Sequence, residues 1–173
     1  MHDSFVERAK SSHIMCPTPA LPPSRRSTPR PSFGRVSVGV HGRVMVSRAE
    51  GPFDAALMAA VKRAIALAGK RLPADRRFGD LIEIHGSLVM DADALTQLRQ
   101  STEAFTSRGL VAISTVFVVQ PGIPGIERLP ALLDIWRASR PVRRAESFDA
   151  AWALVNADLT AAGLPTQPPP LRA

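Results

Sequence analysis

A chain of 173 residues with a 45% apolar share and one cysteine is most simply one domain with tails. Its own core must hold it, because Cys16 alone excludes an internal disulfide or a multi-cysteine metal site. The net charge of +7 is spread along the chain: residues 1–33 hold five Lys/Arg against two acids, and residues 34–173 hold seventeen against thirteen. With no Tyr and no aromatic residues interleaved among the basic ones to stack bases, this argues for a solvated basic surface and against a nucleic-acid face.

Residues 1–32 read as a disordered tail. Six prolines there alternate with Ser, Thr and Arg, a composition that cannot bury enough apolar surface to offset chain entropy. Arg8 and Lys10 are not followed by the apolar block of a secretory signal. No apolar run approaches the ~18 residues of a membrane span, so a cytoplasmic setting is expected.

Val36, Val38 and Val40 alternate with Ser37 and Gly39, as in a half-buried strand. His41-Gly42 is a turn signal, and Val44 and Val46 continue as the second strand of a hairpin. Asp54 is a capping residue for a helix with Leu57, Val61, Ile65 and Ala68 inward, ended by Gly69. Leu81 to Ile84 form a short central strand. Asp91 or Asp93 opens the next helix, with Leu95, Leu98, Thr102 and Phe105 on its inner face and Gly109 as its stop.

Leu110 to Val119 is the strongest strand, uncharged and rich in Val and Ile, which predicts cover on both sides. Pro121 to Gly125 is a loop. A helix follows from Glu127 to Ser139, with Leu129, Leu132, Leu133 and Trp136 inward and Pro130 in its first turn. Val142 to Ala145 is a short edge strand. Ser147 caps a last helix carrying Phe148, Trp152, Val155 and Leu159. Residues 165–173, with Pro168, Pro169 and Pro170, are a second tail. The order β-β-α-β-α-β-α-β-α predicts an α/β domain over residues 33–164, a mixed sheet of about five strands with four helices packed on it.

With these residues placed, the chain resembles the STAS domains, the group named for sulfate transporters and anti-sigma-factor antagonists, and the STAS/SEC14-type bacterial proteins of the same general fold. The resemblance covers roughly residues 35–159. Its central signature is a strand ending in an acidic-apolar pair, a short link, and Asp-Ser-Ser/Thr-Gly-Leu at a helix start. Glu83-Ile84 and then Met90-Asp91-Ala92-Asp93-Ala94-Leu95 follow that layout. Gly109-Leu110, Arg128-Leu129 with Trp136, and Arg144 to Ala151 resemble the downstream pattern.

The resemblance implies a non-catalytic regulatory or protein-interaction module, with a protein partner of the anti-sigma-regulator type. It places the partner-binding or switch site at Asp91, Ala92, Asp93 and Ala94, and it leaves a homodimer open. Asp91 keeps the family acid, Ala92 replaces the first serine, Asp93 stands at the phosphorylatable position and Ala94 replaces glycine. A kinase needs a hydroxyl, so the phospho-switch does not carry over. A carboxylate imitates phosphate only partly, with about one negative charge against nearly two.

Beside this stand plainer readings. Asp91 and Asp93 at a helix N-terminus can simply cap it, each contributing about 0.3–1 kcal/mol. His85, just past the central strand, is either a hydrogen-bonded structural histidine or a ligand-binding or pH-sensing group. Trp136 and Trp152 are core residues, or they line a pocket. The latter belongs to the alternative function, a small carrier or sensor for an apolar or lipid-like ligand, as in the lipid-carrying relatives of this fold; its pocket would draw on His85, Trp136 and Trp152. The four histidines show no HxH or HxxxH spacing, so neither a metal nor another cofactor is expected. The loop at 121–125 lacks the GxxxxGK[ST] arrangement that cradles phosphate. No nucleophile, base and pocket coincide in the sequence, so no enzyme activity is expected.

Overall fold

The computed structural model describes residues 34–170. The tail read over 1–32 and Cys16 lie outside the described residues. Within them, a five-stranded mixed sheet carries four α-helices, the α/β architecture expected from the order of apolar periods.

Strands β1 (Arg35–His41) and β2 (Val44–Glu50) form the antiparallel hairpin. Strand β3 (Arg77–His85), β4 (Val111–Val119) and β5 (Val142–Ala145) add to it in parallel, so the spatial order β1-β2-β3-β4-β5 is also the chain order. Each parallel step needs a crossover, and helices α1 (Ala55–Gly69), α2 (Ala92–Ser107) and α3 (Leu129–Arg137) supply them. Helix α4 (Phe148–Ala161) closes the chain.

The alternation of side chains along each strand divides the core in two. On one face Ala49, Ile84, Phe117 and Val119 pack against α1, α2 and α3. On the other, Val44, Val46, Leu81 and Val116 pack against Ala151, Trp152, Val155 and Leu159 of α4. Strand β4 is covered on both sides, as its uncharged Val/Ile run predicts. Gly79 belongs to this packing: a Cβ at that position would collide with Val155 Cγ1. Glycine in mid-strand costs backbone entropy, and here it lets α4 lie close on β3.

Two elements differ in extent from the sequence reading: β3 runs over Arg77–His85, longer than the short strand at Leu81 to Ile84, and the third helix starts differently. The inner side of α2 carries the expected Leu95, Leu98, Thr102 and Phe105, all half-buried, and adds Ala94 and Ser101, which are buried; the Thr102 hydroxyl donates to the Leu98 carbonyl at 3.0 Å. Ala94, Leu98, Ser101 and Phe105 recur at spacings of three and four, one stripe along the helix. The helix expected over 127–139 begins as a 3-10 turn, Ile126–Arg128, and becomes α-helical only from Leu129 to Arg137, with Pro130 in its first turn. Proline is tolerated there because the first N–H groups of a helix have no intrahelical acceptor.

The C-terminal segment read as a tail is anchored. Trp152 Nε1 and Asn156 Nδ2 donate to the Gln167 carbonyl at 3.0 and 3.2 Å, and the Gln167 N–H donates to Asn156 Oδ1 at 2.7 Å. A chain ending at Leu164 should therefore unfold with about 1–2 kcal/mol less stability than one ending at Pro170, since half-buried donors lose their acceptor. Urea denaturation of the two chains checks this. Equal midpoints would mean that the docked segment contributes nothing.

Candidate functional site

Asp91, Ala92, Asp93 and Ala94 lie where β3 ends and α2 begins, at the C-terminal edge of the parallel strands. Three loops meet there. Leu88 N–H donates to the Pro124 carbonyl at 2.7 Å, Phe53 N–H to Val89 at 2.8 Å, and Asp91 N–H to Phe53 at 3.3 Å. Ser87 Oγ accepts from the Val89 N–H at 3.0 Å, and Arg128 Nη1 donates to the Met90 carbonyl at 3.3 Å. Gly125 sits at φ +83°, and a Cβ on it would come within 2.8 Å of the Leu88–Val89 backbone. The 121–125 loop thus braces the 86–91 loop through backbone contact that only glycine allows.

Leu88 is buried beneath this junction, while Val89 is 45% exposed. The four residues named from the resemblance separate by role. Asp91 is the N-cap of α2, its Oδ1 accepting from the Ala94 N–H at 2.6 Å. Asp93 lies in the first helical turn, exposed, beside exposed Ala92. Ala94 is fully buried in the core under α1 and α3, so its side chain is not available to a partner. The small alanine suits that position because the helix packs tightly there. The exposed surface is therefore Val89, Asp91, Ala92 and Asp93, one apolar contact beside two acids at the positive end of a helix dipole.

The three residues read as a ligand pocket do not come together. His85 is exposed at the end of β3. Trp152 packs under α4, stacked with Phe148 at 5.7 Å and edge-on to His41 at 6.2 Å. Trp136 is on the opposite face of the sheet, edge-on to Phe117 at 5.1 Å. Sequence periodicity gives each tryptophan an inward direction, but it does not say which side of the sheet its helix occupies.

Trp136 does border a cavity of about 110 Å³, between the sheet and helices α1, α2 and α3. Met45, Met58, Phe78 and Phe105 form apolar walls. Helix α2 contributes Leu98, Ser101, Thr102 and Phe105 to its lining.

One wall of the cavity holds a buried polar group that sequence reasoning missed. Asp80 on β3 faces Thr115 across the β3–β4 ladder, and Thr115 Oγ1 donates to Asp80 Oδ2 at 3.3 Å. Arg140, in the turn after α3, reaches in: its Nε donates to Thr115 Oγ1 at 2.6 Å and its Nη2 lies 3.5 Å from Asp80 Oδ2. Both charged side chains are nearly buried, 11% and 12% exposed. Burial holds the Asp80 carboxyl above its usual value, against the pull of Arg140 and the Thr115 hydrogen bond. Burial likewise holds Arg140 below its usual value, against Asp80. Desolvation outweighs attraction on both partners, as expected for a buried pair at 3.5 Å. The available signal was Asp80 itself, an acid beside the apolar Leu81-Ile82 pair of the central strand.

Among the described residues no group of three His, Cys, Asp or Glu side chains could hold a metal ion, and no helix is long and apolar enough to cross a membrane. No family model matches the chain, and no curated protein matches it.

Proposed function

We propose that residues 33–164 form a non-catalytic regulatory module of STAS type, cytoplasmic, that binds a protein partner of the anti-sigma-regulator class through the β3–α2 junction. The order of strands and helices supports this reading, as does the layout of the junction. The observation that carries it is the division of labour between the two acids. Asp91 is consumed as the helix cap, whereas Asp93 stands exposed one turn-position further on. An exposed acid that is not the helix cap, at the place where STAS relatives carry a reversible phosphate, is a fixed charge. It holds the domain in one partner-binding state.

Asp93→Ala should change affinity for a partner recovered by pull-down by more than about 1 kcal/mol, the scale of losing a charged hydrogen-bonding group. Its cost to stability should be smaller, about that of one helix-end acid. Asp91→Ala should do the reverse, lowering stability by about 1 kcal/mol as a lost N-cap. Calorimetric binding and denaturant unfolding of both variants decide the matter. A stability loss in Asp93→Ala with unchanged binding would reduce that residue to a helix-end charge and end the switch idea.

A second reading, a carrier or sensor for an apolar ligand, is favoured by the cavity beside Trp136.

A further inference from the structure

We propose that the cavity between the sheet and helices α1–α3 binds a small, electrically neutral aromatic molecule with one hydrogen-bonding group, of the phenol or indole type. The inference deepens the carrier reading and rests on it. Size comes first. An engineered apolar cavity of about 150 Å³ accepts benzene, so about 110 Å³ suits one ring and is too small for a long acyl chain.

The walls include thioethers and aromatic rings, among them Met45, Met58, Phe78, Phe105, Phe117 and Trp136. Such polarizable groups pack well on a ring, sulfur at the edge and ring against ring. The hydrogen-bonding requirement comes from Ser47 and Ser101. Both residues are buried and both line the cavity. Among the described residues neither hydroxyl makes a hydrogen bond. Neither oxygen is sealed off, since the buried polar side-chain atoms left without a partner among the described residues are Ser114 Oγ and Arg143 Nε, so one polar atom on the guest can bond to them as it enters.

Neutrality follows from the Asp80–Arg140 pair. Its two charges already answer each other at the wall. An anionic guest would add an unbalanced charge to a low-dielectric space and would compete with Asp80 for Arg140, which buried charges tolerate poorly. An alcohol or an indole N–H brings no such charge.

Thermal unfolding and calorimetry with phenol, indole, benzene, benzoate and decanoate test the inference. Phenol and indole should raise the melting temperature saturably, by about 3 °C at ten times Kd. Benzene should bind at least about tenfold more weakly, as a guest that leaves the hydroxyls unanswered. Ser101→Leu, which fills the space from α2, should abolish the phenol shift. Ala112→Val, which fills it from β4, is the second variant should the first not fold. Joint Ser47→Ala and Ser101→Ala substitution should bring phenol affinity down to that of benzene. Preferred binding of benzoate or decanoate overturns the inference and leaves the carrier reading standing. Phenol binding unchanged in a folded cavity-filled variant puts phenol elsewhere and also overturns it. No saturable shift with any of the five probes overturns both.

Discussion

Arg140→Ala should destabilise the domain by about 3–5 kcal/mol near neutral pH, the cost of leaving one member of a buried ion pair alone. The loss has a pH signature. Burial raises the Asp80 carboxyl above 3.8, and Arg140 is the principal group opposing that rise, with the Thr115 hydrogen bond beside it. In the folded state Asp80 therefore keeps its proton to higher pH than in the unfolded chain. Between the two values the native state holds the extra proton, so stability falls as pH rises from about 3.8 through the raised native value. Removing Arg140 raises the native value further and widens that window upward. Denaturant unfolding at about pH 5 and pH 7 should then show a smaller Arg140→Ala penalty at the lower pH. An equal penalty at both would mean that the lost term is packing alone. Joint Asp80→Leu and Arg140→Met substitution should cost less than Arg140→Ala, because it removes both charges and leaves neither stranded.

Phe117→Ala should cost a similar amount, about 3–5 kcal/mol, by a different route. Phe117 has no exposed surface, stands in the most covered strand and meets Trp136 edge-on at 5.1 Å. It also borders the cavity, so truncation joins new empty space to space already there. The surroundings cannot collapse onto the gap, because β3 and β5 hold β4 in register on either side. This loss should be nearly independent of pH, since no ionisable group is uncovered. Guanidinium denaturation at the same two pH values separates the two variants. A loss below about 1 kcal/mol in Phe117→Ala would show that α3 closes over the site, and the jigsaw view of this core would be abandoned.

Much of the architecture was legible in the chain. Val36, Val38 and Val40 alternate, Leu57 to Ala68 recur at helical spacing, and the residues from Leu110 to Val119 carry no charge. These periods are local properties of backbone geometry, and caps such as Asp54, Asp91 and Ser147 act within one turn of the residues they serve. The difference at the start of the third helix is of the same local kind. At 126–128, a proline two residues on leaves the first turn too tight to be α-helical.

The candidate site divides along the same line. The acids of the β3–α2 junction were visible because both their chemistry and their constraint lie within four residues. That Asp91 caps while Asp93 stands free was not visible, since either acid could have taken the cap. The sequence by itself therefore determined the elements, their order and the acidic helix start, all of which follow from short-range geometry. Only the tertiary structure decided which face each helix covers. It set Trp136 apart from Trp152, brought Arg140 from a turn sixty residues away onto Asp80, and left a cavity under α2. Those outcomes depend on pairings between distant segments, and nothing in the spacing of a single segment encodes its partner across the sheet.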